Sequence, residues 1–247
     1  MGKKKLYRIL IYAVVGTIGL LSGIQVSTYQ TRVSSGVVGD DNTTAKMSDF
    51  FGSDSLLNMF SKSVDKPNLA QKYSEAKSVA KATIGWIYVE NTRVNYPIMH
   101  GENNYYLNRA YDGSASASGS IFLDENETGF SKVNIIHGHN MLNGSMFTDL
   151  HNFYRVETQK ENNKIYIYDG KKERVFSVIS VMRVPSSYNL KMSLSTDSEV
   201  NSYAQELANQ SVYNYGNKVT SNPLVILNTC FSDGTNDHLL VVGQEEL

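Results

Sequence analysis

Cys230 is the one cysteine in a chain of 247 residues, and it lies in the stretch PLVILNTCFSDGTNDHLLVVG, residues 223–243. An apolar run at 224–227 has the length and branching of a buried strand, a polar loop follows the cysteine, and a second apolar run spans 239–242. A sulfur at the mouth of a strand-loop-strand unit is half exposed among backbone N–H groups that have no ladder partner. A nucleophile and an oxyanion site can coexist there. The competing reading is a buried cysteine acting as a small hydrophobe.

A thiol with an ordinary pKa is only a few per cent thiolate near neutral pH, so a nucleophilic cysteine needs a base. The chain has five histidines: His100, His137, His139, His151 and His238. In VNIIHGHN, residues 133–140, alternation puts Val133, Ile135, His137 and His139 on one strand face, and Gly138 and Asn140 end the strand in a turn. His139 therefore sits at a strand exit, as Cys230 does. An imidazole there takes the thiol proton and later protonates a leaving amine. The H-x-H spacing also admits a metal pair, with Cys230 or His238 as further ligands, but no second recognisable ligand pair accompanies it. No metal and no cofactor are expected.

Eight short runs rich in Ile, Val, Tyr and Phe must position these groups: residues 85–89, 94–99, 119–123, 133–137, 164–168, 174–184, 224–227 and 239–242. Turn residues separate most neighbours, which predicts a mainly β fold, a closed barrel of about eight strands rather than a parallel α/β sheet. Residues 198–210 (SEVNSYAQELANQ) predict a helix crossing between the strand ending at 184 and the one leading to Cys230. Residues 50–60 predict one or two amphipathic turns, and 68–82 a helix beside the main domain.

The net charge of −1 gives no basic field for nucleic acid, and one cysteine excludes an internal disulfide. Lys3, Lys4, Lys5 and Arg8 precede residues 9–26, which carry no charge. That pattern predicts a single-pass membrane anchor with a cytoplasmic N-terminus and the rest of the chain outside. A cleaved signal peptide is the rival. The expected division is 1–31 basic segment and anchor, 32–82 linker and helices, and 83–247 a catalytic barrel.

IFLDENETGFSKVNIIHGHNMLNGSMFTDL, followed far downstream by VILNTCFSDGTNDHLLVVG, resembles the signature pair of the sortases, and the GHNMxxGSMF block is most similar to class B. The resemblance covers roughly residues 83–243. It implies a membrane-anchored cysteine transpeptidase of a Gram-positive bacterium that cuts a C-terminal sorting signal after threonine. In those terms Cys230 attacks the carbonyl and forms a thioacyl enzyme, and His139 handles the proton of the departing amine. A cell-wall precursor or a pilin lysine then resolves the thioester, with a lean toward pilin polymerisation over anchoring of single surface or haem-uptake proteins. Thr229 and Asn140 are expected on the substrate side. His137 falls where many relatives carry tyrosine, and His238 stands where the family usually has arginine.

An arginine fork is always charged, whereas histidine is mostly neutral unless a partner raises its pKa. Three stand-ins are open: a hydrogen bond from His238, a reach from Arg183, or backbone N–H groups after Cys230. Outside the sortase reading stand a hydrolytic cysteine peptidase, disfavoured because His139 precedes Cys230 and both end strands, and a non-catalytic tethered surface module.

Overall fold

The computed structural model describes residues 66–155 and 164–247. The chain enters through α1 (Leu69–Val79), capped where the Asn68 side chain accepts the Gln71 N–H at 3.0 Å. Its last turn leaves the helix at Ala80, in an extended conformation, earlier than the alanine-rich sequence suggests. Strands β1 (Thr83–Val89) and β2 (Asn95–His100) form a hairpin. The short α2 (Asn103–Tyr106), β3 (Ile121–Leu123) and β4 (Val133–His137) follow. After a 3-10 turn at Thr148–Leu150 come α3 (His151–Arg155), β5 (Lys164–Tyr168) and the long β6 (Glu173–Pro185). Helix α4 (Asp197–Asn209) then leads to β7 (Leu224–Cys230) and β8 (Asp237–Glu245).

The strands close in the order β1-β2-β3-β4-β7-β8-β6-β5, with β5 returning to β1. Two of the pairs, β2 with β3 and β4 with β7, are parallel. Closure removes every sheet edge, and strand alternation then sorts side chains to two sides of the wall. Ile136, Val225, Leu227, Leu239 and Val241 point into the barrel. Val133, Ile135, Leu224, Ile226, Leu240 and Val242 point outward, beneath α4.

That helix is fixed by a capping box at Thr196 and Glu199, two residues ahead of the Ser198 start expected from sequence. Its stripe of Val200, Tyr203, Ala204 and Leu207 is fully buried on the barrel wall. Each large apolar side chain contributes about 1.5–3 kcal/mol by leaving water.

Two strand boundaries bear on the site. β7 runs three residues past the apolar stretch to include Cys230, and β8 begins at Asp237 rather than 239. Cys230 and His238 are therefore ladder partners instead of loop residues.

The expected placement at a cell membrane, single-pass with a cytoplasmic N-terminus and an extracellular catalytic domain, is not borne out by the described residues. No helix among the described residues is long and apolar enough to cross a membrane. Residues 9–26 themselves, like the expected helical turns at 50–60, lie outside the described residues.

Candidate active site

β4 and β7 run side by side in the same direction, with His137 opposite Asn228, and the Gly138 N–H reaches the Asn228 carbonyl at 3.1 Å. Two residues further along each segment the chain reaches His139 and Cys230. The two residues, 91 positions apart in the sequence, close the same end of one parallel pair.

Cys230 is exposed, which removes the reading of a core cysteine. Its sulfur lies 3.8 Å from His238 Nε2 across the β7–β8 ladder. Desolvation at the strand end pushes the thiol pKa up. Desolvation, followed by the neighbouring His137, pushes the His238 pKa down. At rest the pair is thus a neutral thiol beside a neutral imidazole.

His139 Nε2 lies 2.8 Å from the Leu107 carbonyl, just past α2. A carbonyl only accepts, so Nε2 carries the proton and Nδ1 is left bare as the basic nitrogen. Leu107 thereby fixes which ring atom can move a proton, through a backbone atom that no sequence motif reveals.

The two histidines of the H-x-H motif have separate partners. His137 Nε2 donates to Asp124 Oδ2 at 2.9 Å, and its Nδ1 accepts from Asn228 Nδ2 at 3.3 Å. The hydrogen bond from His137, helped by Asn126 and Asn103, holds the Asp124 carboxyl well below the usual carboxylate range. The resulting chain, Asp124 to His137 to Asn228, underlies the site on the outer face, where His137 also lies against the Phe122 ring at 5.3 Å. Asp124 escaped the sequence reading because it sits in a loop after β3, among other carboxylates and with no motif of its own.

The remaining expected residues separate. Asn140 donates from Nδ2 to the Cys230 carbonyl at 3.1 Å and to Ser232 Oγ at 2.9 Å. Thr229, expected on the substrate side, is buried with its hydroxyl unpartnered among the described residues, because alternation turns it away from the face that carries Cys230.

Of the stand-ins for an arginine, Arg183 is engaged elsewhere: it pairs with Asp237 at 2.7 Å and Asp233 at 2.8 Å, bonds Thr235, and covers the Phe231 ring at 4.2 Å. It braces the 231–237 loop. The Phe231 N–H is also committed, donating to the Asp237 carbonyl at 2.8 Å. His238 faces the sulfur across the β7–β8 ladder.

Comparison with known proteins fits this geometry. The Sortase domain model matches residues 87–246. The chain is similar to Sortase B of Listeria monocytogenes, 29% identical over 161 residues that make up 63% of this chain and 65% of that protein. It is also similar to Sortase B of Staphylococcus aureus, 27% identical over 165 residues, 64% of this chain and 67% of that one. Among solved structures, sortase B of Clostridium perfringens superposes with a TM-score of 0.66 at 25% identity, covering 70% of this chain and 99% of that chain. Sortase B of Bacillus anthracis superposes with a TM-score of 0.64 at 27% identity, covering 73% and 86%.

Proposed function

The chain belongs to the sortase family, and on that premise we propose that it is a cysteine transpeptidase with Cys230 as nucleophile, His139 as proton carrier and His238 in place of the family arginine. The observation that carries the reading is the convergence of the three residues at one end of the β4–β7–β8 wall, with the thiol exposed and 3.8 Å from His238. In the proposed cycle the sulfur attacks the carbonyl that follows the side chain of a threonine in a C-terminal sorting signal. The thiol proton passes to His139 Nδ1, the C–N bond breaks, and the same proton goes to the departing amine. His238, carrying its proton on Nε2, donates to the oxyanion as charge develops. An amine then attacks the thioester, loses a proton to His139 and releases Cys230.

The amine is the finer part of the proposal. A pilin lysine is favoured slightly over a cell-wall precursor, because His238 departs from the arginine usual beside the nucleophile and fits an unusual substrate. We also place the catalytic domain in the barrel from residue 83 to 247, preceded by linker and helices at 32–82.

The test is to incubate the chain with a peptide carrying a sorting signal and with either a pilin-type lysine peptide or a glycine-type amine. A ligated product is expected, with the lysine peptide preferred. A Cys230→Ala protein that still cleaves would remove the reading.

A further inference from the structure

The Cys230 carbonyl is the last acceptor of β7 on the side of β4. In a parallel ladder the rung after the bond from Gly138 N–H to the Asn228 carbonyl would bring the Asn140 N–H to the Cys230 carbonyl. The chain turns away at His139 and Asn140, and two side chains take that place. Asn140 Nδ2 lies 3.1 Å from the Cys230 oxygen, and His151 Nε2 lies 3.1 Å from the same atom.

His151 opens α3 and is buried, with only 3% of its surface exposed. Because the carbonyl can only accept, the ring carries its proton on Nε2, and Nδ1 is buried with no hydrogen-bond partner among the described residues. Burial pushes its pKa down, so the ring stays neutral and keeps this single tautomer. The ring edge also meets Phe231 at 4.8 Å and 90°, and the same Phe231 ring is held by Tyr154 at 5.4 Å and by the Arg183 guanidinium. With the Phe231 N–H held by the Asp237 carbonyl, the peptide after Cys230 is gripped on both sides.

We propose that His151 is a positioning residue for the nucleophile: by donating to the Cys230 carbonyl and packing on Phe231, it sets the backbone from which the Cys230 sulfur faces His238. It touches neither substrate nor sulfur, and it acts through the peptide of Cys230. An imidazole with an unpartnered buried nitrogen is a poor choice for packing alone, since a phenyl ring would fill the site without an orphaned lone pair. What the imidazole adds is one N–H in a fixed direction.

The kinetic arm of the test rests on the transpeptidase reading; the alkylation arm does not. His151→Phe keeps the ring and removes the donor, and His151→Gln keeps an N–H donor without the ring. In His151→Phe, folded by circular dichroism, kcat for transpeptidation is expected to fall about tenfold with KM within about twofold, since misplacement by less than an ångström costs rate rather than binding. Cys230 is the only thiol, so the pH profile of its alkylation by iodoacetamide is unambiguous, and that profile is expected to move by about half a unit or more. His151→Gln should return both readouts most of the way to wild type.

A folded His151→Phe protein with wild-type kcat and wild-type alkylation profile overturns the proposal, as does a loss that His151→Gln does not relieve. If His151→Phe does not fold, Asn140→Leu removes the other donor to the same oxygen and decides in its place by the same two readouts: a matching loss supports the clamp, and wild-type values overturn it. If the wild-type chain shows no transpeptidation, the functional reading has failed, and the alkylation profile alone decides on His151.

Discussion

Replacing His238 tests how a sortase works without its arginine. The imidazole stands 3.8 Å from the thiol, with the thiol pKa pushed above its ordinary 9.0 and the His238 pKa below its ordinary 6.5. At pH 7 Cys230 is therefore held mainly as the thiol and His238 mainly as the neutral imidazole. His238→Ala removes a side-chain donor facing the sulfur, and loss of one oxyanion donor raises the barrier by about 2.7–4 kcal/mol, or roughly 10²–10³ in kcat. His238→Arg acts in the opposite direction. A permanent positive charge within about 4–6 Å lowers an acid's pKa by about one to three units, so alkylation of Cys230 at pH 7 should speed up and its pH profile shift to lower pH. The assay pairs peptide-to-amine transfer with iodoacetamide alkylation across pH 5–10, both on the full chain, against wild type. His238→Ala with kcat within about twofold of wild type, or His238→Arg with an unmoved alkylation profile, would refute the reasoning.

Three further perturbations follow from the packing around the site. A Cβ at Gly138 would lie 2.4 Å from Ile121 Cδ1 and 2.8 Å from Phe147 Cδ2, so Gly138→Ala should lower stability by about 1–3 kcal/mol, read as a fall in Tm, and reduce turnover by displacing His139. Asp124→Asn replaces a charge-assisted bond to His137 with a neutral one and should cost about 1–3 kcal/mol at pH 7. Because the folded Asp124 pKa is depressed, that stabilisation is present above its ordinary 3.8 and disappears as pH falls, so wild type and variant should converge in acid denaturation. Burial raises the Glu127 pKa to about 8 while its carboxyl accepts the Ile135 N–H, so wild-type stability from this group is full below pH 4.5 and is lost as pH rises through about 8. Glu127→Gln, neutral at every pH, should therefore melt higher than wild type above pH 8 and lose that advantage near pH 5.

The strands were legible because short β-branched runs between turn residues carry their own signal: the runs at 94–99, 133–137 and 164–168 fall within a residue or so of β2, β4 and β5. Where polar residues continue a strand the signal stops early. Asn228 and Thr229 hid the end of β7, and Asp237 and His238 hid the start of β8, so the ladder pairing of Cys230 with His238 was invisible although both residues were singled out. The parallel pairing of β4 with β7, on which the site depends, joins segments about 90 residues apart and has no local trace. Motif chemistry singled out Cys230, His139 and His238 by side chain. It could not find Leu107, which acts through its carbonyl, and it missed His151, whose bond to the Cys230 carbonyl exists only once α3 packs against the end of β7.

The central claim is that the Cys230 sulfur becomes covalently acylated by the substrate, and trapping that intermediate tests it most directly. The full chain is mixed with a sorting-signal peptide in the absence of any amine, quenched in acid and weighed intact by mass spectrometry. The account predicts added mass equal to the fragment ending in threonine, located on Cys230, removed by hydroxylamine and accumulating far more slowly in His139→Ala. Peptide cleaved with no mass added to the protein, or the same adduct on Cys230→Ala, would contradict it.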